Sequence, residues 1–577
     1  MKIRIHMTSW IFRLVIWVCC LVGMGSVAAQ ELSNISEQKP FRFDGSLELR
    51  GMFYHASGIA DRMEAANYLI SGSPTISLYG WSVPFSFTLS KKQSSFQQPF
   101  NQFGLSPTYK WITLHGGYRN VNFSPYTLAG HTILGGGVEL RPGKLRFGLM
   151  YGRLNRATVI DTASMSLVPY SFTRKGLAIK LGYGTNANFF DLNVLHAKDD
   201  STSIAAPVGT PNRKVTPAAN SVLGYDGRFT VFKQLYIESD GAISLLTRDL
   251  NSTLSLDSIE DKTLRKLGNM LQINGTSEWF LAFNAGVGYQ AKNYGLKVNY
   301  RRVEPGFTSM GAYYFTNDVE NLTIIPNYSH PSGKFRFNGS FGIEQDNVRL
   351  QKEATSKRII GTAMLTTELT KQLGIDVNFS NFSNNQRPNT LRFADSLKIV
   401  QTTRTLGIMP RFTLSSPTKV QMILLSANFN SMDDYNSYFD TETAPSRDIN
   451  SSQYLLNYTL SFPLRKLSFN SSMSYTNLKS IGNQNSYKGI SVGGTYLMAK
   501  NKLSANTNLG YMLGNNNGNK SDIFNGSLNL TYAISKLQSI RTMVYFTNNN
   551  PGSAVTGGSP SFTETRAEIA YQLNFGL

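Results

Sequence analysis

The stretch RAEIAYQLNFGL occupies residues 566–577 and decides the fold. Ala567, Ile569, Tyr571, Leu573, Phe575 and Leu577 alternate with Arg566, Glu568, Ala570, Gln572, Asn574 and Gly576. A period of two puts the first set on one face of a strand and the second on the other. One face is apolar and aromatic, the other polar or small, so the strand meets two different solvents. The pattern recurs at Phe524–Ile534, Leu467–Tyr475, Leu456–Phe462, Leu145–Tyr151 and Leu47–Phe53. Within Leu145–Tyr151 the polar set is Arg146, Gly148 and Met150, with Met150 the one exception.

Soluble sandwiches alternate as well, but their strands average about 5–6 residues. These runs extend over about 10–12, the length a tilted strand needs to cross a bilayer. Their polar faces are mostly uncharged or small, which suits a crowded or water-filled interior. The chain ends on such a strand, as expected where the last strand closes on the first. Composition agrees. Only 16% of the 577 residues are charged and 12% are aromatic, with 49 glycines, a mixture poor in helix formers and rich in strand and turn formers. It disfavours helical bundles, coiled coils, disorder and enzymes built on Leu/Ala/Glu-rich helices. Beyond residue 29 no run of 18 apolar residues appears, so no helical span is expected.

Residues 1–29 read as a signal peptide. Lys2, Arg4 and Arg13 precede or interrupt an apolar stretch from Trp10 to Val22, and Gly25-Ser-Val-Ala-Ala29 supplies small residues for cleavage after Ala29. Both cysteines, Cys19 and Cys20, lie within it without a convincing lipoprotein box. The exported chain therefore has no disulfide, thiolate nucleophile or cysteine-bound metal.

Short turns give a second count. Arg141-Pro-Gly-Lys144, Gly184–Ala187, Phe232–Leu235, Lys292–Tyr294, His330–Lys334, Lys371–Gly374, Ser415–Lys419, Pro463–Lys466, Ala499–Lys502 and Ser535-Lys536 recur along the chain. Between them lie pairs of strands joined by longer polar loops, such as Asp199–Ala219, Asn251–Glu278 and Ser431–Asn450. Short turns at one end and long loops at the other is the outer-membrane asymmetry. Ten hairpins give 20 strands between about residues 131 and 548, and the whole predicts an all-β, closed antiparallel transmembrane barrel of about 24 strands, with 22 to 26 admissible. The expected division is 1–29 signal peptide, 30–44 N-terminal periplasmic segment and 45–577 barrel. Strand parity does not close between residues 45 and 131, so part of 91–130 is expected to fold into the lumen. Asp257–Leu271 places Ile259, Leu264, Leu267 and Leu271 at helical spacing.

Signals for chemistry are poor. Gly489-Ile-Ser-Val-Gly493 matches a nucleophile-elbow string, but its neighbours read as one strand. Gly514-Asn-Asn-Asn-Gly-Asn-Lys-Ser521 has the wrong glycine spacing for a phosphate loop and reads as a polar loop. Histidines are scattered, and Glu304 and Asp318 are isolated carboxylates that could pair only in space. No catalytic, metal or cofactor site is expected, and no enzyme activity. The net charge of +20 has a place: Lys233, Lys292, Lys371, Lys466, Lys500, Lys502 and Lys536 all sit at short turns, a periplasmic rim suited to anionic headgroups or to an acidic envelope partner. Basic turns of an exported protein do not suggest nucleic acid. Lys297, Asn299 and Arg301 share parity opposite Leu296, Val298 and Tyr300, so they face the lumen if the apolar row faces lipid. There they either bias the lumen toward anions or form structural salt bridges.

Two segments carry a resemblance: PFNQFGLSPTYKWITLHGGYRNVNFSPYTLAGHTILGGGVELRPGKLRFGLMYGRLNRA (99–157) and YRRVEPGFTSMGAYYFTNDVENLTI (300–324). In them the chain resembles the large outer-membrane β-barrel proteins of Bacteroidota. The resemblance implies an envelope location and insertion by the barrel-assembly machinery more than it implies an activity. With the first strand expected near Gly45, the chain departs from TonB-dependent transporters, which carry a plug domain ahead of the barrel. Two functions remain: a pore or translocation channel with a lumen narrowed by inserted segments, or a non-conducting scaffold that recruits envelope partners.

Overall fold

The structure is a computed structural model that describes residues 41–90, 102–158, 171–204, 216–253, 268, 271–312, 316–388, 399–435, 447–552 and 560–576. The signal segment and most of the expected helix at Asp257–Leu271 lie outside the described residues. Extended segments join into one antiparallel sheet that closes when Phe562–Gly576 pairs with Phe41–Ser57, from Asp44 opposite Gly576 to Ser57 opposite Thr563. The sheet holds 28 segments, two pairs of which are single strands interrupted at Ser73-Pro74 and at Ser106-Pro107, so the wall has 26 strands. Closure pairs every edge, which is what lets a sheet stand in lipid.

Alternation decides which side faces out. On Arg174–Gly184 and Phe189–Asp199, Leu177, Leu181, Tyr183, Phe190, Leu192 and Val194 are exposed, while Gly176, Ala178, Asp191, Asn193, Leu195 and Ala197 between them are buried. Residues directly opposite across a ladder share a face, so the registers carry this assignment around the barrel. The exposed apolar rows form the lipid face.

Phe41, the first described residue, is already in the wall, ahead of the expected Gly45. Twenty strands lie between Thr132 and Pro551, and one more closes the barrel. The remaining five lie before residue 121 and bring the total to 26, within the expected 22 to 26. Two short turns complete the strand pairing there, at Tyr79-Gly80 and Lys110-Trp111. Tyr79 and Lys110 adopt left-handed backbone with φ of 45° and 49°, a conformation their residue types do not advertise. Parity closes once both are included. Residues 102–109 and 112–120 are therefore wall strands and not lumenal insertions, 91–101 lie outside the described residues, and only 121–131 leaves the wall. The stretch Gly514–Ser521 is also not a loop. It is a tight hairpin in which Asn517 and Gly518 both have positive φ, the Asn-Gly signature of a two-residue turn.

Candidate pore lumen

The inner face has two unlike regions. On the first, two connections fold inward from the long-loop end, residues 121–131 and, as far as they are described, 304–312 and 316–318. They approach each other along the wall. Phe123 packs where a side chain on Gly148 would stand, with its ring 2.7 Å from that position. Lys180 Nζ donates to the Phe123 carbonyl at 3.3 Å. Thr127 Cγ2 lies 2.6 Å from the position of a Cβ on Gly224. From the other side, the ring of Phe280 fills the space beside Gly306, Ser244 Oγ donates to the Thr308 carbonyl at 2.6 Å, and the Met310 amide donates to Asn220 Oδ1 at 3.0 Å. The segments join where Leu128-Ala129 pairs in parallel with Gly311-Ala312 and Ser309 Oγ donates to the Thr127 carbonyl at 2.5 Å. Tyr126 meets Phe307 edge-on at 5.8 Å.

This layer explains the apolar residues that point inward. Met150, Leu154, Leu195, Val222, Phe280, Ala282, Val303 and Val319 form one buried cluster with Val121, Phe123, Tyr126, Leu128 and Phe307. The Met150 exception was thus the sequence signal of an insertion, since an apolar side chain turned away from lipid needs protein to cover it. Segment 304–318 was not foreseen, although Pro305-Gly306 breaks the strand pattern there.

The same face carries a polar row that starts near the short-turn end at Asp191 and reaches the long-loop end of the strands at Glu344 and Arg358. Asp191, Asp226, Asp240, Asn284, Arg301, Asn321, Glu344 and Arg358 are direct cross-strand neighbours in that order. Like charges directly opposite repel, and cations answer the first of them. Asp191 is fully buried and bonded by Arg146 at 2.7 and 2.9 Å and by Lys180 at 2.7 Å. Asp240 accepts from Asn284 at 3.1 Å, and Arg358 donates to Glu344 at 3.0 Å. The structure places Lys297, Asn299 and Arg301 on this inner face. Lys297 is ion-paired with Glu238, Asn299 donates to Asn284 Oδ1 at 2.7 Å, and Arg301 donates to the Thr316 carbonyl of the inserted segment. Lys297 and Asn299 are thus engaged by side chains of neighbouring strands, and Arg301 by a backbone carbonyl. Glu304 and Asp318 do not meet each other: Glu304 takes Arg349 at 2.6 Å and Asp318 takes Lys352. His131, at the end of the first inserted segment, is held neutral by burial, which pushes its pKa down to about 4.

Opposite this layer lies a narrower inner stretch that is uncharged and has no described segment over it. Across the five strands from Ile449 to Ala533, no inward position is Asp, Glu, Lys or Arg. Asn457, Ser472, Ser491, Gly510 and Asn525 form one cross-strand row, and Thr459, Asn470, Gly493, Asn508 and Ser527 the next. Among those inward positions only Gly514 is buried. Amide and hydroxyl groups hydrate readily and carry no net field. Lys233, Lys292, Lys371, Lys466, Lys500, Lys502 and Lys536 all lie at or beside short turns of the same barrel end, with Lys466 bonded to Asn501 of the neighbouring turn.

No family model matches the chain, and no curated protein does. Among solved structures, it is similar to the P pilus usher (PapC) translocation pore, with 10% identity over 92% of this chain and 99% of that one and a TM-score of 0.35. It is similar to the FrpB iron transporter of Neisseria meningitidis (F5-1 variant), with 10% identity over 92% and 82% and a TM-score of 0.37. It is also similar to OccAB2 of Acinetobacter baumannii, with 12% identity over 69% and 98% and a TM-score of 0.28.

Proposed function

We propose that the protein is an outer-membrane pore or translocation channel, of the Bacteroidota envelope type its two quoted segments resemble, in which a layer of inserted chain narrows one side of the lumen. The short turns face the periplasm and the long loops the exterior. The observation that carries this reading is the uncharged hydrophilic inner face of five consecutive strands, set opposite a face sealed by residues 121–131 and 304–318. A scaffold needs a stable wall but has no need to keep five consecutive inner strands wettable and neutral. The inner surface performs no bond chemistry in this reading: it hydrates a passing solute and imposes little charge selection. The lysines of the short turns anchor the periplasmic rim in anionic headgroups.

Planar bilayers and solute-loaded liposomes test it. The purified barrel gives discrete conductance steps, and liposomes carrying it swell in isosmotic small neutral solutes. A steady closed baseline at all voltages, together with no swelling, overturns the channel reading.

A further inference from the structure

Arg153, Lys175 and Lys198 are direct cross-strand neighbours on three adjacent strands, Arg153 opposite Lys175 and Lys175 opposite Lys198. All three share the outward face with the exposed residues Tyr151, Leu177 and Val194. Directly opposed side chains have Cβ atoms about 4.5–5.5 Å apart, and like charges so placed are destabilising. No carboxylate of a described residue lies within ion-pair distance of any of them. Their polar contacts are neutral: Arg153 donates to the Tyr118 hydroxyl at 3.4 Å and Lys198 to Gln272 Oε1 at 2.7 Å. Asp200, just beyond the strand end, is held by Thr202; it feels the charge of Lys175 and Lys198 but lies beyond ion-pair distance of both. Elsewhere at this end exposed arginines have acids, with Glu278 at 2.8 Å from Arg248 and Asp433 at 3.6 Å from Arg404.

Height completes the case. Below Lys175 the outward row runs through Leu177, Ile179 and Leu181 to Tyr183. Eight residues of strand cover about 26 Å, or about 20 Å along the membrane normal at the usual tilt. With Tyr183 and Phe190 at the inner boundary of an apolar band of about 25 Å, the Lys175 backbone stands about 5 Å short of the other boundary, a gap its long side chain snorkels across to reach the headgroups. A cluster of this kind, facing lipid and without an ion-paired acid among the described residues, is complementary to a headgroup bearing several negative charges.

We propose that Arg153, Lys175 and Lys198 form a docking site for the phosphorylated headgroup of an outer-leaflet lipid. The inference takes its orientation from the reading above but does not require an open lumen, so a silent bilayer recording leaves it standing. The test is native mass spectrometry and lipid titration of the purified full barrel in neutral detergent. The probes are a bisphosphorylated acylated glucosamine disaccharide, the same lipid without phosphates, and inorganic phosphate. The wild-type barrel retains the phosphorylated lipid and binds the dephosphorylated form at least about tenfold more weakly, with about one tenfold step lost again in a Arg153→Gln/Lys175→Gln/Lys198→Gln variant. A Lys175→Arg/Lys198→Arg variant keeps the affinity, and it also serves as the reference should the glutamine variant fold poorly. Equal affinity for both lipids, unchanged affinity in a folded glutamine variant, or displacement of the lipid by low-millimolar inorganic phosphate overturns the proposal.

Discussion

Replacing Phe307 by alanine should release the inserted layer without opening the wall. Phe307 is 1% exposed and sits at the junction of the two segments, against Tyr126. Truncating a buried phenylalanine costs about 3–5 kcal/mol when the site cannot collapse. Here little collapse is available, because the wall beneath is fixed by ladder bonds on both sides of Ala242 and Ala282. The cost falls on docking of the layer, since no ladder bond of the wall involves the Phe307 side chain. At 1.36 kcal/mol per tenfold, the detached population rises about a hundredfold or more. The chain makes this measurable. Its only cysteines are at 19 and 20, so a Ser124→Cys substitution, at a site 3% exposed on the first segment, installs the only thiol of the barrel. The rate of labelling by a small hydrophilic maleimide follows the open fraction when reclosing is fast. The Phe307→Ala background should label about a hundredfold faster than the parent, while Asn508→Cys on the open inner wall labels rapidly in both. Heat-modifiable migration on gels should be unchanged. Equal Ser124→Cys rates in the two backgrounds would refute the claim that the segments seal one another, and slow labelling of Asn508→Cys would refute the uncovered inner stretch.

Three further outcomes follow from the same geometry. Asp191→Ala leaves Arg146 and Lys180 buried without their acid and should cost about 3–5 kcal/mol, read as an earlier unfolding midpoint in urea for the lipid-reconstituted barrel. Asn470→Asp/Asn508→Asp places two carboxylates on one neutral inner row and should move the reversal potential in a salt gradient toward cations, whereas the inward but covered Asn193→Asp should not. Burial holds His131 at about 4 against an ordinary 6.5, so the docked layer binds fewer protons than the detached one between those values. Docking is full above about pH 6.5 and weakens as pH falls toward 4, by at most about 3 kcal/mol. Hydrogen exchange of residues 121–131, corrected for intrinsic rates, should accelerate over that window and lose this dependence in His131→Gln.

Fold class was legible because lipid and lumen are such different solvents that each wall strand declares both, as Leu467–Tyr475 and Ala567–Phe575 do. Turns were legible where they use Pro-Gly, Ser-Gly or Lys-Asn, and invisible at Tyr79-Gly80 and Lys110-Trp111, where an aromatic or a lysine takes the left-handed position. The parity of Lys297, Asn299 and Arg301 could be read locally. Their partners could not, because Glu238 is 59 residues from Lys297 and becomes adjacent only through the ladder. The inserted layer was half visible. Met150 announced that something apolar covers the inner wall, but nothing local to residue 150 could say that residues 128 and 311 pair to make that cover.

The placement of the layer has a mechanical consequence. A wall of 26 strands at about 4.8 Å spacing and about 40° tilt has a circumference near 160 Å and a backbone radius near 26 Å. The first segment leaves the wall after Asn120 and the second after Val303, eight strands further on, an arc of about 50 Å. Eight residues from each side, at about 3.4 Å apiece, cover that arc, and the join at Leu128 and Gly311 falls near its middle, over Leu195. A strap fixed to the wall at both ends and bonded at its centre adds a second layer to this third of the circumference, while among the described residues the strands from Ile449 to Ala533 have only one. Sheet curvature at the strapped side is set by packing as well as by pleat. The neutral side is left to bend, so changes in lumen width concentrate there. Crosslinking across the strap should therefore leave conductance fluctuations intact, whereas crosslinking Ser472 to Ser491, already 2.6 Å apart between their hydroxyls, should quiet them, and the opposite result would place the compliant wall on the sealed side.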